Sequence, residues 1–383
     1  MTDIVKSCTR LHEWFVSHAL PLWSERGYDH VRGGFYEALD FSGAPLTGRP
    51  RRVRVQARQI YTFTQSALQG WCSDGEPLAA KAFDFYIDKA CPDNGARGCV
   101  HQLADNGDII DDRRDLYDQA FLLLACAARL QTGDDRARTL ADRTIDFLNA
   151  ELSSPNGGWL ESDAGELPRR QNPHMHLFEA FIALFETTGD KTYLSYADGI
   201  HTLFRTRFYD ATRSVLIEYF NADLTQTTQP KGKLIEPGHM MEWVWLLDRY
   251  EDCGGKIDHH QVDELFHRAI LLGANDKGFL LDQMSLDRHA PSAAMRRLWP
   301  QTEYVKAALV MTQRSAKTAE TKGAQMIDRL FETYLNQPVA GLWCDRYCKT
   351  GDAAAQDVPA SILYHLYEAA AQASTHVKTI EAS

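Results

Sequence analysis

The chain has 383 residues, of which 44% are hydrophobic and 24% are charged, the composition of an ordinary globular protein with a large core. Its formal net charge of −11 argues against nucleic acid as a partner. The first residues lack the apolar core of a signal peptide, and the longest apolar run, 120–128, is far shorter than the roughly 20 residues that span a bilayer. We therefore expect a cytoplasmic protein with no membrane partner.

Six segments share one pattern: a glycine or turn, a short apolar strand, polar turn residues and a second short stretch. They are 33–46, 98–110, 157–167, 215–226, 278–289 and 341–352. Measured from Gly34, Gly98, Gly158, Val215, Gly278 and Gly341, the successive steps are 64, 60, 57, 63 and 63 residues. Each segment contains Asp, Asn or Gly where a hairpin turn must form, so the pattern predicts six β-hairpins in a repeat of about 60 residues.

Two helices fit between each hairpin and the next, because apolar residues recur there at three- and four-residue spacing, as in Phe121, Leu124 and Ala128. The predicted pairs are 56–71 with 78–91, 118–130 with 137–152, 177–187 with 193–208, 240–250 with 262–272, and 302–312 with 319–335. Helices near 5–23 and 359–373 bring the total to about twelve.

Six copies of a helix–helix–hairpin unit predict an all-α fold, an (α/α)6 barrel with short β-hairpins at one end. An open solenoid is the alternative, but it would need polar capping repeats that the sequence lacks. No linker divides the chain, so we expect residues 1–383 to form one domain. The six junctions between a hairpin and the following helix should meet at one end of the barrel and surround a pocket.

The predicted junctions carry histidines, acids, arginines and tryptophans, a mixture that suits a small polyhydroxylated ligand. The residues are Arg54, Arg58, Asp115, Tyr117, Asp118, Asn172, His174, His176, Glu236, His239, Glu242, Trp243, Trp299, Glu303, Tyr364 and His365. A single histidine at a helix start is more often a cap or a packed side chain, but three at equivalent places favour a site. His174 and His176 are two residues apart and cannot share a helical face, so we expect only His176 to point inward.

Metal binding is the competing use of these histidines. Their spacing does not match an HExxH site or a Cys/His cluster, and the eight cysteines include no Cys-x-x-Cys pair. A three-histidine zinc site assembled from distant segments stays open as an alternative. We predict no metal and no cofactor.

At these residues the chain resembles the N-acylglucosamine 2-epimerase superfamily, which includes mannose isomerases and cellobiose 2-epimerases. The matching pieces are Gln-Ala-Arg-Gln at 56–59, Asn172 with His176, Gly-His-x-x-Glu-Trp at 238–243, Trp-Pro-Gln-x-Glu at 299–303 and Tyr-His at 364–365. The chain departs from its relatives at Arg54, where they often carry Trp, and at Ser361, where some carry Gln.

The resemblance implies an (α/α)6 barrel in which His239 and His365 form an acid/base pair and His176 helps to open the sugar ring. It also implies a pocket lined by Arg58, Tyr117, Asn172, Glu242, Trp299 and Glu303.

We expect a monosaccharide substrate and the interconversion of D-mannose and D-fructose through a cis-enediol, by a monomer or homodimer. Within the resemblance, 2-epimerisation of N-acyl-D-glucosamine or cellobiose, or isomerisation of a phosphorylated hexose, remains open. Outside it, an inverting glycosidase using Glu242 and Glu303, or a sugar-binding protein without activity, remains open.

Overall fold

Twelve helices are formed by the residues that the computed structural model describes, which are 3–287, 290–293, 295–314 and 317–382. We number them α1 (Asp3–Trp14, a π-helical turn Phe15–Ala19, and Leu20–Arg26), α2 (Val53–Leu68), α3 (Gly75–Ala90), α4 (Leu116–Gln131), α5 (Arg136–Phe147 with a π-helical turn Leu148–Leu152), α6 (Gln171–Thr188), α7 (Lys191–Leu203 with Phe204–Phe208), α8 (Pro237–Asp252), α9 (His259–Gly273), α10 (Trp299–Gln313), α11 (Lys317–Arg329 with Leu330–Tyr334) and α12 (Ser361–Ala382).

The even-numbered helices form a closed inner ring. Each packs against the next in chain order, from α2 through α4, α6, α8 and α10 to α12, and α12 packs against α2. Inner helices are buried on nearly all sides, as the run Leu116–Arg129 shows, whereas the outer helix α5 buries only one face through Ala137, Leu140 and Ala141. The predicted (α/α)6 barrel is confirmed.

At the end of the barrel where the hairpins lie, short strands pair between successive repeats and also link the last repeat to the first. Four strands that precede an inner helix pair with the hairpin of the following repeat: Arg51–Arg52 with Gln102–Leu103, Arg169–Arg170 with Tyr219–Phe220, Leu234–Ile235 with Gln283–Ser285, and Arg296–Arg297 with Arg346–Tyr347. Val358–Pro359, before α12, returns to pair with Ala38–Leu39 of the first hairpin. Three further pairings lie within hairpins: Ile109–Asp111 with Gln102–Leu103, Val215–Leu216 with Tyr209–Asp210, and Ala290–Ala293 with Gln283–Ser285. The pairing ties the starts of the inner helices to one another and fixes where their first turns point.

Helix ends differ most from the prediction at the C-terminus. We predicted a last helix ending near 373, but α12 continues to Ala382 because no Gly or Pro interrupts it and His376 is still buried. The fifth predicted hairpin, 278–289, reaches residues 288 and 289, which lie outside the described residues. Among the helices of the described ranges, none is long and apolar enough to cross a membrane.

Candidate active site

A cavity of about 1090 Å³ opens at the end of the barrel where the hairpins lead into the inner helices. Eight of the nine residues predicted to form the site line it: Arg58, Tyr117, Asn172, His176, His239, Glu242, Trp299 and His365. The ninth, Glu303, is fully buried and is not among the lining residues. It lies behind His365, so we correct its expected place in the pocket lining.

One equivalent position of each inner helix contributes a side chain to a ring at the base of the cavity, and four of the six, Arg58, His176, Glu242 and His365, line the cavity itself. Five residues after Val53, Leu116, Gln171, Pro237, Leu298 and Ala360 stand Arg58, Phe121, His176, Glu242, Glu303 and His365, which we call the floor ring. Neighbours in the ring touch: the Arg58 guanidinium carbon lies 4.1 Å from the Phe121 ring centre, and the Phe121 and His176 ring centres are 4.6 Å apart. The six-fold repeat therefore gathers six side chains around the barrel axis. Sequence reasoning missed Phe121.

His239 is held between two carboxylates. Its Nδ1 lies 3.0 Å from Glu218 Oε2 and 3.7 Å from Glu236 Oε2. Burial alone would disfavour the imidazolium, but the charges of Glu218 and Glu236 outweigh it and raise the pKa of His239 to about 9. His239 is therefore protonated at neutral pH.

A departure from the repeat explains why Glu218 is available to His239. In three other repeats the hairpin acid at this place receives the backbone N–H and the side chain of an arginine just before the inner helix: Glu37 from Arg52, Glu161 from Arg170, and Asp282 from Arg297. In the fourth repeat the hairpin acid is Glu218, and the residue just before the inner helix is Glu236 instead of an arginine. The carboxylates of Glu218 and Glu236 thus have no such arginine, and both face His239. Sequence reasoning missed Glu218, although the exchange of Arg for Glu in the repeat is the signal that could have found it.

His365 has the opposite environment. Burial, together with the nearby positive charges of Arg58 and Lys306, lowers the pKa of His365 well below its ordinary value. Its Nδ1 lies 2.9 Å from Glu303 Oε1, and Glu303 Oε2 lies 2.6 Å from Lys306 Nζ. With Nδ1 bonded to a carboxylate, the neutral ring keeps its lone pair on Nε2, the nitrogen left for a ligand in the cavity.

Of the pair His174 and His176, the structure brings only His176 to the cavity. Its Nδ1 lies 3.1 Å from Glu179 Oε2, and burial lowers its pKa to about 4. His174 instead accepts a hydrogen bond of 3.0 Å from the Trp159 backbone N–H. In other repeats a glutamine at the same place binds a hairpin backbone in this way, so His174 ties the third hairpin to its helix. These glutamines are Gln56, Gln119 and Gln301.

Trp299 lies between the two histidines of the predicted acid/base pair. Its ring centre is 5.1 Å from that of His239 and 5.8 Å from that of His365. The indole packs against Gly238, where a Cβ atom would lie 2.6 Å from two ring carbons. Glycine at this position lets the ring sit close to α8 and form a flat wall between the histidines.

Three polar groups of the cavity wall lack a hydrogen-bond partner or an ion-pair partner within the described part of the chain. Asn172 Oδ1 and Glu242 Oε1 are buried without a hydrogen-bond partner there. Arg58 donates to the Tyr117 hydroxyl at 2.9 Å but has no carboxylate within ion-pair distance among the described residues. Burial and the neighbouring charge of Glu303 raise the pKa of Glu242 well above its ordinary value, so it can donate a hydrogen bond. Buried polar groups of this kind are where a hydroxylated ligand would bind.

The comparisons with known proteins cover nearly the whole chain. Residues 34–369 match the sequence profile of the N-acylglucosamine 2-epimerase (GlcNAc 2-epimerase) family. The chain belongs to this family. A mannose-6-phosphate isomerase of Rhizobium meliloti (strain 1021) is 36% identical over 378 residues, which are 95% of this chain and 96% of the relative.

Two solved structures share the fold of this family member. A cellobiose 2-epimerase from Spirochaeta thermophila DSM 6192 has a TM-score of 0.86 at 24% identity, covering 99% of this chain and 98% of that one. The crystal structure of a D-mannose isomerase has a TM-score of 0.84 at 20% identity, covering 95% and 97%. The sequence resemblance is thus confirmed, and the protein is an enzyme of a family of sugar isomerases and epimerases.

One group of cavity residues in this family member was not singled out for a role from the sequence. His101 lines the cavity, and its Nδ1 lies 2.6 Å from Oδ2 of the fully buried Asp118. Arg54 donates to the other oxygen of Asp118 at 3.1 Å. His101 occupies the hairpin position of Glu37 and Glu161, and this exchange of acid for histidine is the signal that could have marked it.

In the described part of the chain, three groups of side chains have the composition of a cation site, with ligand atoms within 4.8 Å of one another. They are His101 with Asp115 and Asp118, His176 with Glu179 and Glu242, and Glu242 with Glu303 and His365. Their carboxylates already meet other partners: Asp118 meets Arg54, Glu179 meets the Tyr364 hydroxyl, and Glu303 meets Lys306. Metal independence of this family member stays a prediction.

Proposed function

We propose that the protein interconverts D-mannose and D-fructose by proton transfer between C2 and C1 of the open-chain sugar. The observation that carries the proposal is the contrast between His365, a neutral base, and His239, a protonated acid, on either side of Trp299 in one cavity. General acid–base catalysis needs both forms at one pH, and these two environments provide them between the two pKa values.

The reaction divides between the two histidines. Nε2 of His365 removes the proton on C2, and His239 donates its proton to O1, which gives a cis-enediol. His365 then returns its proton to C1, while His239 takes the proton from the C2 hydroxyl, and the ketose forms. Each histidine ends in the state in which it began, so no cofactor is consumed.

Neighbouring groups stabilise the negative charge that develops on the enediol oxygens. A proton on C2 is only weakly acidic, so donors placed at the carbonyl oxygens are needed to lower the barrier. Arg58 supplies a cation without a carboxylate partner among the described residues, and Glu242, whose raised pKa favours its protonated form, supplies a further donor. Within this proposal His176, whose Nδ1 is held by Glu179, assists opening of the sugar ring.

The charges at the cavity favour a neutral sugar. Of the eight arginines and lysines that line it, five already form ion pairs: Arg52 with Glu37, Arg54 with Asp118, Arg113 with Glu166, Arg170 with Glu161, and Arg297 with Asp282. The positive charge of such a side chain is already neutralised by its carboxylate partner, so it attracts a phosphate only weakly.

A phosphorylated hexose is the second candidate, because two of the three remaining cations, apart from Arg58, have no role in the proposed reaction. Lys231 and Arg346 have no ion pair within the described ranges, and Arg346 lies directly across a strand pair from Arg297. The 36% identical relative from Rhizobium meliloti is named a mannose-6-phosphate isomerase.

A glycosidase is disfavoured by the same geometry. An inverting enzyme needs two carboxyl groups roughly 6.5–9.5 Å apart with a water molecule between them. Carboxylate oxygens of Glu242 and Glu303 lie within 4.8 Å of each other, and Glu303 does not line the cavity.

The experiment is a substrate panel with the purified protein. D-mannose, D-mannose 6-phosphate, N-acetyl-D-glucosamine and cellobiose are incubated separately in D2O, with and without a chelator, and products are followed by NMR. We expect fructose from mannose and no effect of the chelator. Its C1 should carry the proton taken from C2, replaced by deuterium only to the extent that the protonated His365 exchanges with the solvent first. Turnover of the phosphate ester in preference to mannose would establish the second candidate. Formation of the C2 epimer without ketose would make the protein an epimerase, and loss of activity in chelator would contradict a metal-free mechanism.

A further inference from the structure

A second layer of side chains lies one helical turn below the floor ring. Three residues further along each inner helix stand Tyr61, Leu124, Glu179, Trp245, Lys306 and Glu368, one from each of the six. Lys306 is fully buried and is the one cation of this layer. A buried ammonium is costly unless it meets an opposite charge, so its place among carboxylates demands a reason.

Lys306 contacts the acid that holds His365. Its Nζ lies 2.6 Å from Glu303 Oε2 and 3.7 Å from the centre of the Trp245 ring. The other oxygen of Glu303 lies 2.9 Å from His365 Nδ1. The three groups therefore form a row from the cavity into the core: imidazole, carboxylate, ammonium.

We propose that Lys306 is a positioning residue that acts through Glu303 to fit His365 for accepting the substrate proton. The proposal rests on the proposed function and assigns a task to a residue that touches no substrate. Its counterpart is the pair of carboxylates at His239, neither of which forms an ion pair with an arginine among the described residues. One cation, present beside Glu303 and absent beside Glu218, thus divides the two histidines into base and acid.

The physical reason lies in the number of protons that a histidine–carboxylate pair binds. A histidine beside a lone carboxylate gains a proton readily, because the imidazolium is stabilised by the negative charge. When Lys306 shares that charge, Glu303 still accepts the Nδ1–H bond but attracts a second proton less strongly. His365 then keeps the lone pair on Nε2 that a base requires.

Other charged and titratable groups face the same place and must stay unchanged in the test. They are Arg58 and Tyr61 from α2, His176 and Glu179 from α6, Glu242 from α8, Glu303 from α10, and Tyr364 and Glu368 from α12. Burial raises the pKa of Glu368 to about 7, so its own titration has to be separated from that of His365.

The variant Lys306→Met tests the proposal, because methionine is unbranched, apolar and of similar length, and can still cover Trp245. We expect the acid limb of the kcat/KM profile to move up by at least one pH unit, so that activity at a given pH on that limb falls about tenfold relative to the unaltered protein. The same shift of the acid limb is expected whether His365 or Glu303 takes the added proton. A protonated Glu303 would donate to Nδ1 and shift the ring hydrogen to Nε2, which also removes the lone pair from Nε2.

The matched control is Glu303→Gln combined with Lys306→Met, which removes both charges. We expect its acid limb to return toward that of the unaltered protein, whereas a merely structural role for Lys306 would leave the limb shifted or unmoved in both variants. A limb that stays in place in Lys306→Met would overturn the proposal.

An NMR titration of His365 in the sugar-free protein needs no activity, and its first arm, on the unaltered protein, needs no variant that folds. In the unaltered protein we expect the His365 signal to stay that of a neutral ring down to below pH 6, and titration near 6.5 would overturn the proposal. If no sugar is isomerised but Lys306→Met still moves this titration, the proposed function fails while the effect of Lys306 stands. If mannose is isomerised and the titration does not move, only the inference about Lys306 fails.

Discussion

The carboxylate of Glu236 lies 3.7 Å from His239 Nδ1, at a position where three other repeats carry arginine. Together with Glu218 it raises the pKa of His239 to about 9. As the acid of the proposed reaction, His239 is active in its protonated form, so activity should decline as the pH rises through about 9. We expect Glu236→Gln to lower the pKa of His239 and to shift this alkaline limb to lower pH by about one unit. The measurement is kcat/KM against pH.

Glu37→Gln is the matched control for this variant. Glu37 is the equivalent hairpin acid of the first repeat, but it pairs with Arg52 and is not among the residues lining the cavity. We expect its alkaline limb to coincide with that of the unaltered protein. If Glu236→Gln also leaves the limb in place, His239 is not the group that this limb reports.

The two neighbouring histidines of α6 should respond differently to the same substitution. Glutamine can replace His174, because Gln56, Gln119 and Gln301 make the same hydrogen bond to a hairpin backbone in other repeats. We expect His174→Gln to fold and keep kcat within about threefold. His176→Gln should lose about a hundredfold in kcat, the lower end of the range for a missing acid–base group.

Steady-state kinetics with circular dichroism as a check on folding would measure both variants. Equal losses of kcat in two folded variants would mean that the inward orientation of His176 has no catalytic meaning.

The barrel was predictable because its repeat is long and regular. Hairpins recur about every 60 residues and apolar spacing is helical between them, so helix number, pairing and order followed from the sequence. Eight of the predicted residues that meet in the cavity also followed, because they come from the first turns of the inner helices. Helix ends were less certain, as α12 shows, because nothing local marks where packing stops.

The task of an individual side chain was harder to predict. Glu303 and Glu242 occupy the same position of their repeats, yet Glu242 lines the cavity and Glu303 lies behind His365. The partners Glu218 and Lys306 come from a distant hairpin and from one turn deeper in the barrel, so spacing along the chain does not reveal them. Electrostatic pairing across repeats depends on side-chain directions that the sequence pattern does not contain.

Acid should destabilise the fold through His174. Burial lowers its pKa to about 3, whereas in the unfolded chain it is near 6.5. Between these values the unfolded chain binds a proton that the folded protein does not, so the free energy of unfolding falls as the pH drops below 6.5. We expect the unaltered protein to lose on the order of 2 kcal/mol more than His174→Gln between pH 7 and pH 4.5.

Denaturant titrations of both proteins at the two pH values provide the measurement. His176 and His201, whose pKa values burial also lowers to about 4, contribute in the same direction to both proteins and cancel in the comparison. Equal losses in the two proteins would contradict the assignment to His174.

Gly238 should control the position of Trp299 and through it the fit of the sugar. A Cβ atom at Gly238 would lie 2.6 Å from the indole and 3.0 Å from Pro300 Cβ, and Pro300 is backbone-restricted, so the indole must move. The indole contacts both His239 and His365, and its displacement enters the space between them. We expect Gly238→Ala to raise KM for the sugar and to lower kcat at least tenfold, because displacement of a reacting group by about 1 Å can cost a hundredfold in rate.

The double variant Gly238→Ala with Trp299→Phe separates this steric effect from a general loss of helix α8. Phenylalanine lacks the outer ring of the indole, whose carbons meet the added Cβ, so the double variant should recover part of the kcat lost in Gly238→Ala. Trp299→Phe alone gives the baseline for the missing ring. A double variant with lower activity than both single variants would mean that the glycine serves the helix and not the tryptophan.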